Sequence, residues 1–322
     1  MPLPASFEGR LTVPAIAAPM FLVSGPDLVV EACRSGVVGT FPALNQRSSE
    51  GYEAWLTEIK ARLERAERES GRAPAPFGVN LIVHRTNTRL QEDLALTVKH
   101  RVPLVITSLG AVSDLVDAVH SYGGIVLHDV INMRHAEKAL HAGVDGIIAV
   151  AAGAGGHAGT LSPFAFVAEL RALTDKMIAL SGSISHGREI AAARLLGADL
   201  AYLGTRFIAT RESMAQDEYK AMLLASSAND VVYTPAISGV NANFLRPSIA
   251  AAGLDPDNLP TGTKMDMGHE RKAWKNVWSA GQGTGSIADI PSMAELCARL
   301  AQEYEEALAS RSALSLAAVR AA

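Results

Sequence analysis

The sequence predicts an α/β fold, a (β/α)8 TIM barrel of parallel strands with an extra segment after the eighth strand. Three observations carry this. Short runs rich in Val, Ile and Leu alternate with segments of helical periodicity, the mark of parallel βα units. Eight such runs occur, and right-handed crossovers repeated eight times close into a ring. The chain of 322 residues also exceeds the roughly 250 of a typical barrel. The excess is concentrated in one stretch, because the alternation stops after Phe207 and resumes only in an Ala-, Leu- and Glu-rich segment at 292–308.

The strands are expected at 15–20, 37–42, 77–83, 104–109, 124–129, 145–151, 177–182 and 200–207. Helices are expected at 26–35, 48–69, 87–101, 112–122, 133–142, 163–174 and 187–196, with 292–308 closing the ring. On this reading 1–209 and 287–322 form the barrel and 210–286 is a helical and loop insertion covering its C-terminal mouth. Long loops placed there are usually functional. The insertion carries Pro235, Pro247, Pro256, Pro260, Arg271, Trp274, Trp278 and the glycine run 281–285.

Composition narrows the function. With 48% hydrophobic and 19% charged residues, the chain can bury an ample core, which excludes disorder. A net charge of −4 and the lack of a long basic run argue against nucleic acid and anionic membrane as partners. Cys33 and Cys297 belong to no C-x-x-C pair, so neither a disulfide framework nor a thiolate zinc site is expected. The first twenty residues hold Glu8, Arg10 and four prolines where a signal peptide needs an apolar run. No stretch reaches the roughly 18 apolar residues of a membrane span. A cytoplasmic protein is expected.

Catalytic groups of such a barrel project from the C-terminal strand ends. Here those ends supply Met20-Phe21, Asn45, Asn80, Ser108, His128-Asp129, the run 152–159, and the turns LSGSIS (180–185) and LGTRF (203–207). The two glycine turns follow strands seven and eight, where the fold recurrently binds phosphate and where glycine lets backbone N–H groups approach an anion. In GAGGHAG, Gly153, Gly155 and Ala158 match a dinucleotide fingerprint. That motif belongs in a first βα turn opening directly into a helix, whereas this run continues to Gly159, before Ser162-Pro163 begin the next helix. It reads better as backbone lying against a planar ligand, with His157 aimed at what binds above.

His128-Asp129 is a weaker candidate, explained nearly as well by a packed histidine and a surface aspartate. His100, His120, His135 and His141 fall on helices or their ends and are expected in solvent. No H-E-x-x-H or similar spacing exists, so no metal is expected. Met20, Phe21, Phe41, Tyr233, Phe244, Trp274 and Trp278 are candidates for an apolar cavity wall.

The motifs APM (18–20), FGVNL (77–81), AGGHAG (154–159), LSGSI (180–184) and LGTRFIATRE (203–212) occur in that order. GVNANFLRPS (239–248) and VWSAGQGTGS (277–286) follow them. Together they resemble the flavin-dependent nitronate monooxygenases, colinearly over nearly the whole chain. Similar NADH:quinone reductases and flavin-dependent enoyl reductases belong to the same group.

The resemblance implies FMN and no metal. Ala18, Pro19 and Met20 would run along the flavin ring, Asn80 would reach its polar edge, and His128 would join the cofactor contacts. Gly155 and Gly156 would approach the isoalloxazine. Gly182, Ser183, Gly204 and Thr205 would hold the phosphate, and Gln282 and Gly283 would close over the ligand. His157 matches the family's active-site histidine. Two departures stand out: Ser183 occupies a place where some relatives carry a second glycine, and Asp129 one where a relative can carry a cation.

The activity implied is oxidation of alkyl nitronates with O2 to carbonyl compounds and nitrite. The expected partners are a small-molecule substrate, nitronate or quinone, with O2, and a second copy of the chain in a homodimer. An NADH:quinone reductase, taking NADH as a further partner, is one alternative. A flavin-free phosphate-binding lyase or isomerase is another, disfavoured because no strand end carries a Schiff-base lysine.

Overall fold

Parallel strands close on themselves in the computed structural model, which describes residues 3–4, 6–110, 112–260 and 276–310. The strands are β1 (Ala15–Ala17), β2 (Val38–Pro42), β3 (Gly78–Ile82), β4 (Leu104–Ser108), β5 (Ile125–Val130), β6 (Gly146–Val150), β7 (Gly156–His157), β8 (Met177–Ser181) and β9 (Leu200–Leu203). All but β7 belong to the barrel, in the order β1-β2-β3-β4-β5-β6-β8-β9. Ile16 closes the ring by pairing with Val38 on one side and Tyr202 on the other.

The barrel strands are buried on both faces, which is why they read as continuous apolar runs. One set of side chains, including Ile16, Leu104, Leu127, Ile148 and Leu200, fills the barrel together with Phe7. The alternate set, including Ala17, Val105, Val126, Ile147 and Ile178, packs beneath the helices.

The connecting helices are α1 (Pro26–Arg34), α2 (Ser49–Ser70), α3 (Leu90–Lys99), α4 (Ser113–His120), α5 (Met133–His141), α6 (Pro163–Leu173) and α7 (Gly187–Leu196). Ser48 caps α2 by accepting the Gly51 N–H, and Asn132 caps α5 by accepting that of His135. α6 begins at Pro163 after Ser162.

A buried carboxylate ties the β8 end of the ring to its helices. Asp199 Oδ2 accepts from Arg171 Nη2 at 2.6 Å and from the Ile178 N–H at 2.9 Å. Removing it takes the counter-charge from Arg171, whose guanidinium keeps the Gly197 and Lys176 carbonyls, and leaves the Ile178 N–H without its acceptor, so Asp199→Ala is expected to destabilise the fold by about 1–3 kcal/mol. A urea denaturation midpoint unchanged from wild type would refute this.

Most strand ends shift by a single residue from the sequence reading, and three departures bear on the site. β1 stops at Ala17, and the following loop is held by side chains instead of a ladder. β5 runs on to Val130, so His128 and Asp129 lie within a strand. β9 ends at Leu203, and 205–207, expected as strand, enter the short helix α8 (Thr205–Ile208) after Gly204.

Beyond α8, the chain forms α9 (Asp217–Ala225), β10 (Val231–Thr234), β11 (Ala242–Leu245) and α10 (Arg246–Ala251). β10, β11 and β7 make an antiparallel sheet in that order. Helix α11 (Met293–Ser310) packs on α7 and α1. Arg271 and Trp274 lie outside the described residues. No helix among the described residues is long and apolar enough to cross a membrane.

Candidate active site

A cavity of about 700 Å³ opens at the C-terminal strand ends, a volume in the range of cofactor and small-ligand sites. Ala18, Pro19, Met20, Asn80, His128, Gly155, Gly156, His157, Gly204 and Thr205 line it. Gly182, Ser183, Gln282 and Gly283 are not part of that lining. They stand behind its glycine edge, where Gly153 O accepts the Gln282 N–H at 2.9 Å and Ser185 Oγ donates to Gly283 O at 3.0 Å.

The wall after β1 is fixed by two side chains. Ser24 Oγ accepts the Met20 N–H at 3.0 Å. Asn45 Nδ2 donates to Met20 O at 3.0 Å and Ser24 O at 2.8 Å, while its Oδ1 accepts the Leu22 N–H at 2.9 Å. The amide thus replaces the ladder that Pro19, lacking an N–H, cannot continue.

His157 is held through its backbone. Ala242 and Asn243 of β11 pair with His157 and Gly156 of β7. Asn243 Nδ2 donates to Ala154 O at 2.6 Å, and Tyr233 Oη donates to Ala158 O at 3.0 Å. The NANF stretch is therefore the clamp on the histidine loop. Trp278 and Tyr219 also line the cavity and stack with ring centroids 5.0 Å apart at 11°.

At the glycine edge the backbones touch. A Cβ on Gly155 would stand 2.8 Å from Gly281 N and 3.0 Å from Ala280 C. Thr205 Oγ1 accepts the Gly281 N–H at 2.8 Å. Gly204 is different: the nearest atoms to a Cβ there are Met20 Sδ at 3.7 Å and Ala18 Cβ at 3.9 Å, so its missing side chain leaves a hollow. Ser183 holds a left-handed φ of +56°, which costs glycine little and serine more.

The cavity also contains a polar chain. Asn80 Nδ2 donates to Ile106 O at 3.2 Å and to Ser108 Oγ at 2.7 Å, and Ser108 Oγ donates to Asp129 Oδ2 at 2.6 Å. Burial pushes the Asp129 carboxyl up to about 6, with the Ser108 hydrogen bond and the charge of His157 pulling the other way. His128 Nδ1 lies 2.7 Å from Thr107 Oγ1. Burial, aided by the charge of His135, holds the His128 imidazole down to about 4.

The two neighbours bias stability in opposite directions. His128 binds its proton less well folded than unfolded, so its contribution is complete above about 6.5 and is lost as pH falls through about 4. Asp129 binds its proton better folded, so its contribution is complete below about 3.8 and is lost as pH rises through about 6. Between pH 6.5 and 4, His128→Gln is therefore expected to gain about 2–3 kcal/mol relative to wild type, and Asp129→Asn to lose a similar amount. Chemical denaturation at the two pH values measures both, and parallel pH profiles for wild type and variants would contradict the assignment.

Several expectations about individual residues change. Asp129, for which the sequence left both a strand-end candidate and a surface group open, is a cavity group. His135, expected in solvent, is exposed, and it stands with the equally exposed Lys138 at the cavity rim, where α5 starts at the strand end. Phe41 packs in the core beside Tyr52 and Trp55, and Phe244 is wholly buried. Met20, Phe21 and Trp278 do line the cavity, whereas Trp274 lies outside the described residues. Tyr202 and Tyr219 escaped the sequence reading. Ser108 was visible as a strand-end hydroxyl, but Tyr219 sits in a helix with no motif.

Known proteins fit this geometry. The sequence profile of the family described as nitronate monooxygenase matches residues 79–303. A nitronate monooxygenase from Paraburkholderia phytofirmans is 27% identical, the match covering 92% of this chain and 93% of that one. Among solved structures, FabK from Thermotoga maritima superposes with a TM-score of 0.77 at 22% identity, over 94% of this chain and 96% of its own. The nitroalkane oxidase from Streptomyces ansochromogenes superposes with a TM-score of 0.76 at 25% identity, over 97% and 100%. With the family profile spanning well over half the sequence and the histidine loop, glycine turns and clamping strand gathered at one barrel mouth, this chain belongs to the nitronate monooxygenase family of oxidoreductases.

Proposed function

We propose that the chain is an FMN-dependent nitronate monooxygenase, converting nitroalkanes and their nitronates with O2 to carbonyl compounds and nitrite. The observation that carries the reading is His157, fixed by the β7–β11 pairing on the wall of a cavity that also has a glycine-lined edge. The residues present fit FMN. The hollow at Gly204 is a cradle that a Cβ would fill, and Thr205, Ser181 and the neighbouring backbone offer uncharged donors suited to a phosphate.

Gly204 and Thr205 would hold the phosphate, with Gly182, Ser183, Gln282 and Gly283 supporting that edge from behind. Ala18, Pro19, Met20, Gly155 and Gly156 would flank the ring, with His128 as a neutral neighbour. Both amide hydrogens of Asn80 are engaged, by Ile106 and Ser108, which leaves its carbonyl oxygen for a ligand N–H. Bound there, FMN would supply the electron transfer from nitronate toward O2.

The chain's own part is to bind and to move a proton. His157 takes the α-proton of a neutral nitroalkane, a role suited to imidazole near neutral pH. Tyr219 and Trp278 present an apolar wall to the alkyl group and keep water out.

Steady-state assays test the reading: nitroethane and preformed ethyl nitronate should each consume O2 and release nitrite. Anaerobic mixing with NADH should bleach the flavin slowly. Rapid bleaching, with quinone turnover and no nitrite, would replace this reading with an NADH:quinone reductase.

A further inference from the structure

The acid in this cavity constrains the charge of what can bind. Asp129 Oδ2 is occupied by Ser108, itself held by Asn80. Oδ1 is shielded from solvent and makes no hydrogen bond among the described residues. The side chain lines the cavity that His157 lines, and the two interact electrostatically. No Arg or Lys forms an ion pair with Asp129 among the described residues. The titratable groups around it are His157 on β7, its strand neighbour His128, the Tyr202 phenol on β9, and His135 and Lys138 on the α5 side of the cavity.

We propose that Asp129 determines substrate charge: the site admits an uncharged nitroalkane, from which His157 withdraws the α-proton in place, and disfavours a nitronate that arrives already as an anion. This rests on the nitroalkane reading above. Entry of an anion places a second negative charge beside a poorly solvated carboxylate, which repels it.

Proton transfer inside the cavity carries no such penalty. The C–H bond breaks, its electron pair enters the C=N bond of the nitronate, negative charge moves onto the nitro oxygens, and the proton goes to the imidazole. The net charge of the site does not change, and the imidazolium faces two anions. With the carboxyl titrating at about 6, the discrimination is present above that pH and fades below it.

The test compares flavin-loaded wild type with Asp129→Asn at pH 8. Asn keeps an acceptor for the Ser108 hydroxyl and removes the charge. The ratio of kcat/KM for ethyl nitronate to that for nitroethane should rise about tenfold or more in the variant. Calorimetric titration with nitrate, a planar unreactive anion, should show affinity tighter by a similar factor in Asp129→Asn at pH 8, with the gap closing at pH 5. Asp129→Ser carries the same expectations should the first variant fail to fold. An unchanged ratio, or equal nitrate affinities at pH 8, would overturn the proposal. If neither protein turns over either nitro compound, the functional reading falls, and the nitrate titration still decides the charge claim.

Discussion

Replacing His157 with Asn is expected to lower kcat/KM for a neutral nitroalkane by about 10²–10⁴-fold, the usual contribution of a positioned base. Turnover of the preformed nitronate should change far less. The split follows from how His157 is held: its position depends on backbone pairing with Ala242 and on the Asn243 and Tyr233 contacts to its neighbours, none of which uses the imidazole. Asn therefore keeps the wall in place while removing the proton acceptor. Parallel assays with nitroethane and ethyl nitronate, with bound flavin measured on the same samples, read the split directly. Equal losses on both substrates with flavin retained would assign His157 to binding.

Gly155→Val is expected to weaken FMN binding by about 100-fold or more, the second large effect. A Cβ at Gly155 meets main-chain atoms of Gly281 and Ala280, which cannot rotate away as a side-chain end can. The glycine edge must open, and the fold should lose stability with it. Gly204→Ala separates the two consequences. Its backbone φ of −105° suits alanine, and the nearest atoms to its Cβ lie at ordinary contact distance. It should leave the melting temperature near wild type while weakening FMN about tenfold, because the methyl enters the hollow assigned to the phosphate approach. Fluorescence titration with FMN, alongside thermal melts, measures both variants. Undiminished FMN affinity in Gly204→Ala would remove that turn from the phosphate site.

The barrel was legible because parallel strands buried on both faces leave uninterrupted apolar runs, as in Gly146–Val150 and Met177–Ser181. The same signal overran at the eighth barrel strand. Phe207 and Ile208 continue the apolar run, yet the chain turns at Gly204, and both side chains are buried on a short helix. β7 was not legible. Gly156 and His157 have no strand propensity of their own, and their pairing exists only because Ala242 and Asn243 arrive from the insertion.

Asp129 shows a second limit. Its identity was plain, but whether an aspartate beside a histidine faces solvent or a cavity depends on where β5 ends and on Ser108 standing on the next strand. The resemblance drew its strength from the order of the motifs, and that order reflects the physical requirement that backbone from several strand ends meet at one place.

On the proposed function, this barrel mouth holds FMN by its glycine edge under the reach of His157. The most direct measurement is the visible absorption spectrum of the purified protein after incubation with FMN and removal of the excess. Flavin bands at one equivalent per chain are expected, with released cofactor identified as the phosphorylated form. A colourless protein that retains neither added nor native flavin would contradict it.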